Sequence, residues 1–380
     1  MDPRERVSRI LNHKKADKVP IDFGGTIVTS IEYNAYLKLK NYLKEKNILS
    51  SPERQVEIFD YTMGTVFPYE KIMELFKSDF RRVGLRNIKP IISDNVYTDR
   101  FGIKYKKAIP HEYFDVIHNP LTNMSVEDLY DYTWPNPNRK ILYEGIKEKA
   151  RDLFENTKYC IIADFGVPGF YETSQKLRGY EQFAVDLMIN KKFVRSLFDI
   201  LLKLQKEWFS NYLNAVAKYI QVVCYADDLG MEDTLQLSPK TYRELIKPYH
   251  REIFKFIKSK TGAKLMLHSC GDIYPLIGDF IEIDVDILNP VQVSANQMDP
   301  QRLKSEFGDE IIFWGGIDIR ALGRNDISSV IITVKNMINV MGNNGGYVFA
   351  GSHNLQEDIP PENILAMFDA ANKYGKYTLK

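Results

Sequence analysis

Residues 264–289 read K-L-M-L-H-S-C-G-D-I-Y-P-L-I-G-D-F-I-E-I-D-V-D-I-L-N. An apolar run over 264–269 is followed by a helical pattern over 274–281 and a second short run at 285–289. Short apolar runs joined by a helix indicate parallel strands buried on both faces, because the crossover helix covers the sheet. The first run ends in His268 and Cys270, with Gly271 behind them. Side chains alternate across a strand, so residues two apart point the same way. His268 and Cys270 therefore aim at one point from a strand end, and zinc accepts such a nitrogen and sulfur pair. Two ligands do not complete a site. Taken alone, a buried Cys beside a hydrogen-bonded His is the plainer explanation of H-x-C.

The strand and helix alternation extends both ways from this stretch. Upstream lie strands at 159–166 and 220–227, with helices at 139–156, 179–190, 191–218 and from Ser238-Pro239 to about Ser259. Downstream lie strands at 311–315 and 346–350, with helices at 300–306, 326–341 and 361–374. Strands at 19–23 and 80–85 bring the count to eight. Eight such units close a (β/α)8 (TIM) barrel, which is the α/β fold expected here. An open doubly wound sheet is the alternative, but no G-x-G-x-x-G follows the first strand.

The first third reads as additions to one barrel domain spanning 1–380. It holds helices from Asp2-Pro3 to Leu11, at 32–46, 52–60 and 68–77, and a short helix within 120–138. A hairpin over 92–109 turns at Arg100 to Gly102.

Composition bounds the function. With 51 basic and 50 acidic residues the net charge is +1, and no basic block stands out. Neither nucleic acid nor a membrane surface is an expected partner. Three cysteines in 380 residues argue against a disulfide framework and fit a reducing cytoplasm. The start, M-D-P-R-E-R-V, lacks the apolar core of a signal peptide. No run approaches the roughly 20 apolar residues of a membrane span. A cytoplasmic protein is expected.

In such barrels chemistry sits at the C-terminal strand ends. Those ends supply Asp22, then Asp164 and Phe165, then Asp227 and Asp228, then His268 and Cys270. Further on come Asn289 and Gln292, Trp314 and Asp318, and finally His353. Each has a mild alternative role, such as Asp as a helix cap or Asn in a turn. Carboxylates, amides and two histidines on one rim together indicate an enzyme. His353, just past the last strand, is the candidate third metal ligand, with Asp228 as a fourth or as a partner that orients a ligand. Asp227 and Asp228 are the candidate acid or base groups. Asp22, Asp164, Phe165, Gln292, Trp314 and Asp318 are the expected substrate-binding residues.

Several motifs carry a family resemblance. They are R-E-R-V-S-R-I-L-N-H with V-P-I-D-F-G-G-T, D-D-L-G at 227–230, S-P-K-T-Y-R-E-L-I-K-P-Y at 238–249, H-S-C-G, D-I-L-N-P-V-Q, F-W-G-G-I-D and P-P-E-N-I. Together they resemble the uroporphyrinogen decarboxylase superfamily, which implies a (β/α)8 barrel. The decarboxylases proper carry an Arg-rich loop for substrate carboxylates, whereas this chain has no arginine from 19 to 53. The chain is closer in type to the branch of cobalamin-dependent methyltransferases. Their zinc-binding members share the His-x-Cys motif, which maps onto His268 and Cys270. Their third ligand, a Cys ten residues before an Asn of the last helix, falls on His353, ten before Asn363.

The resemblance thus implies a zinc-dependent enzyme moving a methyl group between a small molecule and a corrinoid protein that carries cobalamin. The small molecule would be a methoxy, methylamine or thiol compound. A metal-free decarboxylase is the rival expectation. An accessory protein that only binds the methyl carrier is the third.

Overall fold

The computed structural model describes residues 1–50, 56–86 and 88–377. Seven parallel strands follow one another around the sheet in chain order. They are β1 (Phe80–Val83), β2 (Cys160–Pro168), β3 (Val222–Ala226), β4 (Lys264–His268), β5 (Ile287–Asn289), β6 (Ile312–Ile317) and β7 (Tyr347–Gly351). Residues 19–22 fill the eighth place. Ile21 bridges Phe349 in parallel, the Asp22 amide donates to Phe349 O, and the Phe349 amide donates to Pro20 O. On the other side the Asp79 amide donates to Ile21 O. The expected strand at 19–23 is therefore a barrel-closing segment without a regular ladder. Pro20 contributes no N–H, which leaves the ladder incomplete there. The closed (β/α)8 barrel follows.

Helix starts obey local chemistry. The Asp2 side chain caps Glu5 N, with Pro3 in the first turn. Ser238 caps Thr241 N, with Pro239 next. Asp299 and Asp326 do the same for Pro300–Phe307 and Ile327–Met341. Such caps satisfy amides that have no partner inside the helix. Helices Phe170–Arg178 and Ile319–Arg324 were not expected from the sequence.

The first third departs most from expectation. The hairpin is present, pairing Val96 with Lys106 and Thr98 with Lys104, but Phe114–His118 joins it as a third strand. The helix expected over 52–60 is absent from 56–60. Residues 52–55 lie outside the described residues, and Ile58–Asp60 is a strand paired with Thr65–Val66. Here the Phe59 ring packs at a tilt against Phe67 with centroids 4.1 Å apart, a contact across the strand pair that overrides helical periodicity.

Alternation along the strands sorts the side chains. Cys160, Ile162, Val222, Cys224, Met266, Ile287, Ile312 and Val348 form one buried interior cluster with Val7, Ile10 and Leu11 of the N-terminal segment. Helix Pro3–Ile10 thus contributes the side chains that close the barrel floor. The intervening strand residues, such as Ile161, Ala163 and Phe165, join the outer core under the helices. Among the described residues, no helix is long and apolar enough to cross a membrane.

Candidate metal centre

On three strands the next inward residue after that apolar layer is polar. Asp164 follows Ile162 on β2, His268 follows Met266 on β4, and Asn289 follows Ile287 on β5. All three are buried. Register pairs His268 directly with Asn289. The His268 Nδ1–H donates to Asn289 Oδ1 at 2.6 Å, while the Asn289 amide reaches Trp314 O at 3.4 Å. This fixes the ring and leaves Nε2 free as a lone-pair donor, the arrangement metal-binding histidines use.

His268 Nε2 lies 3.4 Å from Cys270 Sγ. His353 completes the group: one ligand atom from each of His268, Cys270 and His353 lies within 4.8 Å of the others. A tetrahedral zinc ion with bonds of about 2.0–2.3 Å spaces its ligands about 3.5 Å apart. The group is within a small side-chain adjustment of that. Burial pushes the His353 imidazole down to about 4, and the neighbouring His268 adds to the effect against Asp228. The ring is therefore neutral, as a ligand must be. Burial holds the Cys270 thiol well above its ordinary range, and Asp228, Glu172 and Glu232 add to this. A bound cation would reverse that balance. The donor set suits zinc, and the neutral His353 ring is ready to bind.

Two loops must pass closely to build this point. Gly271 has φ +87°, and a Cβ there would lie 2.4 Å from Gly230 C and 2.5 Å from Met231 N. Only glycine fits both the left-handed backbone and the contact. The glycines of H-S-C-G and D-D-L-G therefore serve one crossing.

Asp228 stands beside the centre. Its Oδ1 accepts from Cys270 N at 2.8 Å and lies 3.8 Å from His268 Nε2, with the side chain 35% exposed. Asp227 is turned away. Its carboxylate accepts from Tyr171 N, Glu172 N and His250 Nε2 and is wholly buried. The other expected residues are dispersed. Asp22 is buried, accepts from Gly25 N and the Trp314 indole, and is pushed up by burial to about 7. Asp164 binds Ile27 N and Arg82. Phe165 points outward and stacks on Phe209. Gln292 ties Gly271 N to Glu232. Asp318 caps the helix Ile319–Arg324.

Three groups escaped sequence reasoning. Asn289 was read only as a strand-end residue, although its register with His268 gives it a role. Arg82, the inward residue after Phe80 on β1, is matched by Asp164 at 2.9 Å. Glu172 opens the unforeseen helix and pairs with Lys176 at 2.6 Å. Burial raises the Glu172 carboxyl, and Asp228 is among the charges it feels. The E-x-x-x-K spacing was the available signal. A cleft of about 710 Å³ beside Arg100 and Tyr132 shares no residue with the centre.

The sequence model described as uroporphyrinogen decarboxylase (URO-D) matches residues 116–374. The N-terminal motifs quoted above lie outside that match. No curated protein matches the chain in sequence. Among solved structures, a methyltransferase from Methanosarcina mazei aligns at TM-score 0.64 with 16% identity, covering 98% of this chain and 99% of that one. A weaker likeness, at TM-score 0.42 and 13% identity, is to a putative vitamin-B12 independent methionine synthase from Listeria monocytogenes, covering 94% and 98%. At such identities the likeness is one of fold.

Proposed function

The chain belongs to the uroporphyrinogen decarboxylase family, and from that premise we propose that it is a zinc-dependent methyltransferase. It moves a methyl group between a methoxy, methylamine or thiol compound and a corrinoid protein, in the cytoplasm. The observation that carries this reading is the convergence of His268, Cys270 and His353 at the C-terminal end of the barrel.

Those three residues would hold the ion, which supplies Lewis acidity to a sulfur, oxygen or nitrogen of the small molecule. Asn289 keeps Nε2 of His268 turned inward. Asp228 anchors the Cys270 amide with one oxygen. Its partly exposed carboxylate is placed to hold the proton gained or lost when a thiol, alcohol or amine exchanges its methyl group. The neutral His353 adds a ligand without adding charge, so the site would carry one thiolate only. A more Lewis-acidic ion suits oxygen-bearing as well as thiol substrates.

The decarboxylase alternative draws less support. A substrate with many carboxylates needs several unmatched cations. Residues 19–53 contain no arginine, and the charge of Arg82 is taken up by Asp164.

Metal analysis of the purified protein is the direct test, joined to methyl transfer from methylcobalamin to a small thiol. One zinc per chain is expected, with zinc and turnover both lost in His268→Ala and Cys270→Ser. A zinc-free protein whose turnover is untouched by either change overturns the reading.

A further inference from the structure

Asp227 and Asp228 are adjacent, yet only Asp228 faces the centre. The surroundings of Asp227 connect three elements. Oδ2 accepts from Tyr171 N at 3.0 Å and Oδ1 from Glu172 N at 2.8 Å, which fixes the first turn of helix Phe170–Arg178. Its own amide donates to His268 O at 2.9 Å, which ties it to the strand end of the metal group. Its Oδ2 also takes His250 Nε2 at 2.9 Å, with both side chains 0% exposed. A Cβ at Gly169 would lie 2.4 Å from Asp227 Cγ, so the glycine before the helix is what admits the carboxylate.

His250 is itself held. Its Nδ1 is 3.2 Å from the Tyr242 hydroxyl, and its ring stacks on Phe254 with centroids 5.2 Å apart. Tyr242 and His250 are eight residues apart on one helical run. In an unbroken α-helix that spacing leaves them about 80° apart around the axis. Tyr242–Ile246 is a π-helical turn. Its extra residue brings the two to within about 20°, so that the Tyr242 hydroxyl meets the ring of His250, which in turn reaches Asp227. A helix defect and a helix-spanning hydrogen bond thus serve one buried carboxylate.

We propose that His250 is a positioning residue of the centre. Through Asp227 it locks the start of the Glu172 helix against the strand end that carries His268 and Cys270. Glu172, whose carboxylate is among the charges acting on Cys270, is thereby kept in register with the metal group. His250 touches neither metal ligand nor substrate, so its removal separates positioning from metal binding.

The activity arm of the test rests on the methyltransferase reading; the exchange arm does not. His250→Phe, His250→Gln and Tyr242→Phe are compared with wild type. The readouts are zinc content, amide hydrogen exchange at Tyr171 and Glu172, and methyl transfer from methylcobalamin to mercaptoethanol. In His250→Phe, zinc content stays at the wild-type level and the two amides exchange about 10-fold faster. Its kcat falls about 10-fold while KM changes less than about twofold, as expected for a misplaced group rather than a lost binding contact. His250→Gln recovers most of both, because its amide N–H reaches the same Asp227 oxygen.

Unchanged exchange and kcat in His250→Phe overturn the proposal, and so does a His250→Gln variant as impaired as His250→Phe. Should His250→Phe not fold, Tyr242→Phe decides: faster exchange at Tyr171 and Glu172 with a lowered kcat supports it, and wild-type values overturn it. A wild-type protein with no methyl transfer contradicts the methyltransferase reading alone and leaves the exchange result to decide this one.

Discussion

The floor and the mouth of the barrel are built from the same strands, one pleat apart. On β2 the inward residues run Cys160, Ile162, Asp164; on β4, Met266 then His268; on β5, Ile287 then Asn289. A step of two residues is about 7 Å along a strand. Below it the interior is apolar and closed by Val7, Ile10 and Leu11. Above it polar pairs enter the interior, Arg82 with Asp164, Asp22 with the Trp314 indole and His268 with Asn289, beside Trp314 and Ala350, which continue the apolar cluster. Stability and chemistry are thus specified by successive inward positions of one sheet. A substitution below the step should cost folding free energy and spare the site, while one above it should act on the site.

The largest effect expected is on the floor. Ile162 is fully buried in the interior layer. Ile162→Ala should destabilise by about 2–5 kcal/mol through lost burial and a residual cavity, seen as a lower urea midpoint. Zinc per folded chain should not change; a loss of zinc in the folded variant would break the division between the two layers. One pleat up, Asn289→Ala removes the group that fixes the His268 ring. Orienting partners of this kind are worth about 10- to 100-fold in metal affinity, or about 1.4–2.8 kcal/mol. Competition with a chromogenic chelator measures it. Wild-type affinity in that variant would mean that His268 is held by packing alone.

The mouth should also respond to pH in two opposed ways. Burial depresses His353 to about 4, against about 6.5 in the unfolded chain. Between those values the unfolded state binds more protons, so this group's contribution to stability is lost as pH falls from about 6.5 toward 4. Burial raises Asp22 to about 7 from 3.8. There the folded state binds more protons, so stability is lost as pH rises through that interval. In chelator-treated protein, the urea midpoint of Asp22→Asn should therefore climb more steeply from pH 4 to 7 than that of wild type. His353→Gln should tilt the other way. Parallel curves for all three proteins would show that these groups do not titrate with folding.

How much of this was legible depended on whether a signal was local. The strands of 159–350 were readable because each is a short apolar run between helices. The convergence of His268, Cys270 and His353 was readable because the first two share one strand end and His353 follows the last strand. The orientation of Asp227 was not, since it depends on a helix start at Phe170 and on His250 reaching it across the barrel's outer layer. Phe165 was assigned to the mouth, although alternation from Ile162 and Asp164 already turns it outward. Residues 58–60 were misread because a strand so short has no period, and its pairing with Thr65–Val66 is a tertiary fact.

The smallest effect belongs to the outer rim, where the division between floor and mouth gives way to solvent. Arg320 pairs with Glu232 at 3.2 Å, both side chains about half exposed. Glu232 also receives Gln292, whose other end holds Gly271 N behind Cys270. If the rim belonged to the site, Arg320→Ala would loosen that chain and weaken metal binding. Exposed ion pairs are worth about 0–1 kcal/mol because solvent screens them and ordering two long side chains offsets the attraction. Gln292 and Asp228 would still hold the Gly271 and Cys270 amides. Arg320→Ala should therefore leave zinc affinity within about twofold of wild type and lower the urea midpoint only slightly. A tenfold loss of affinity would extend the site outward to the rim.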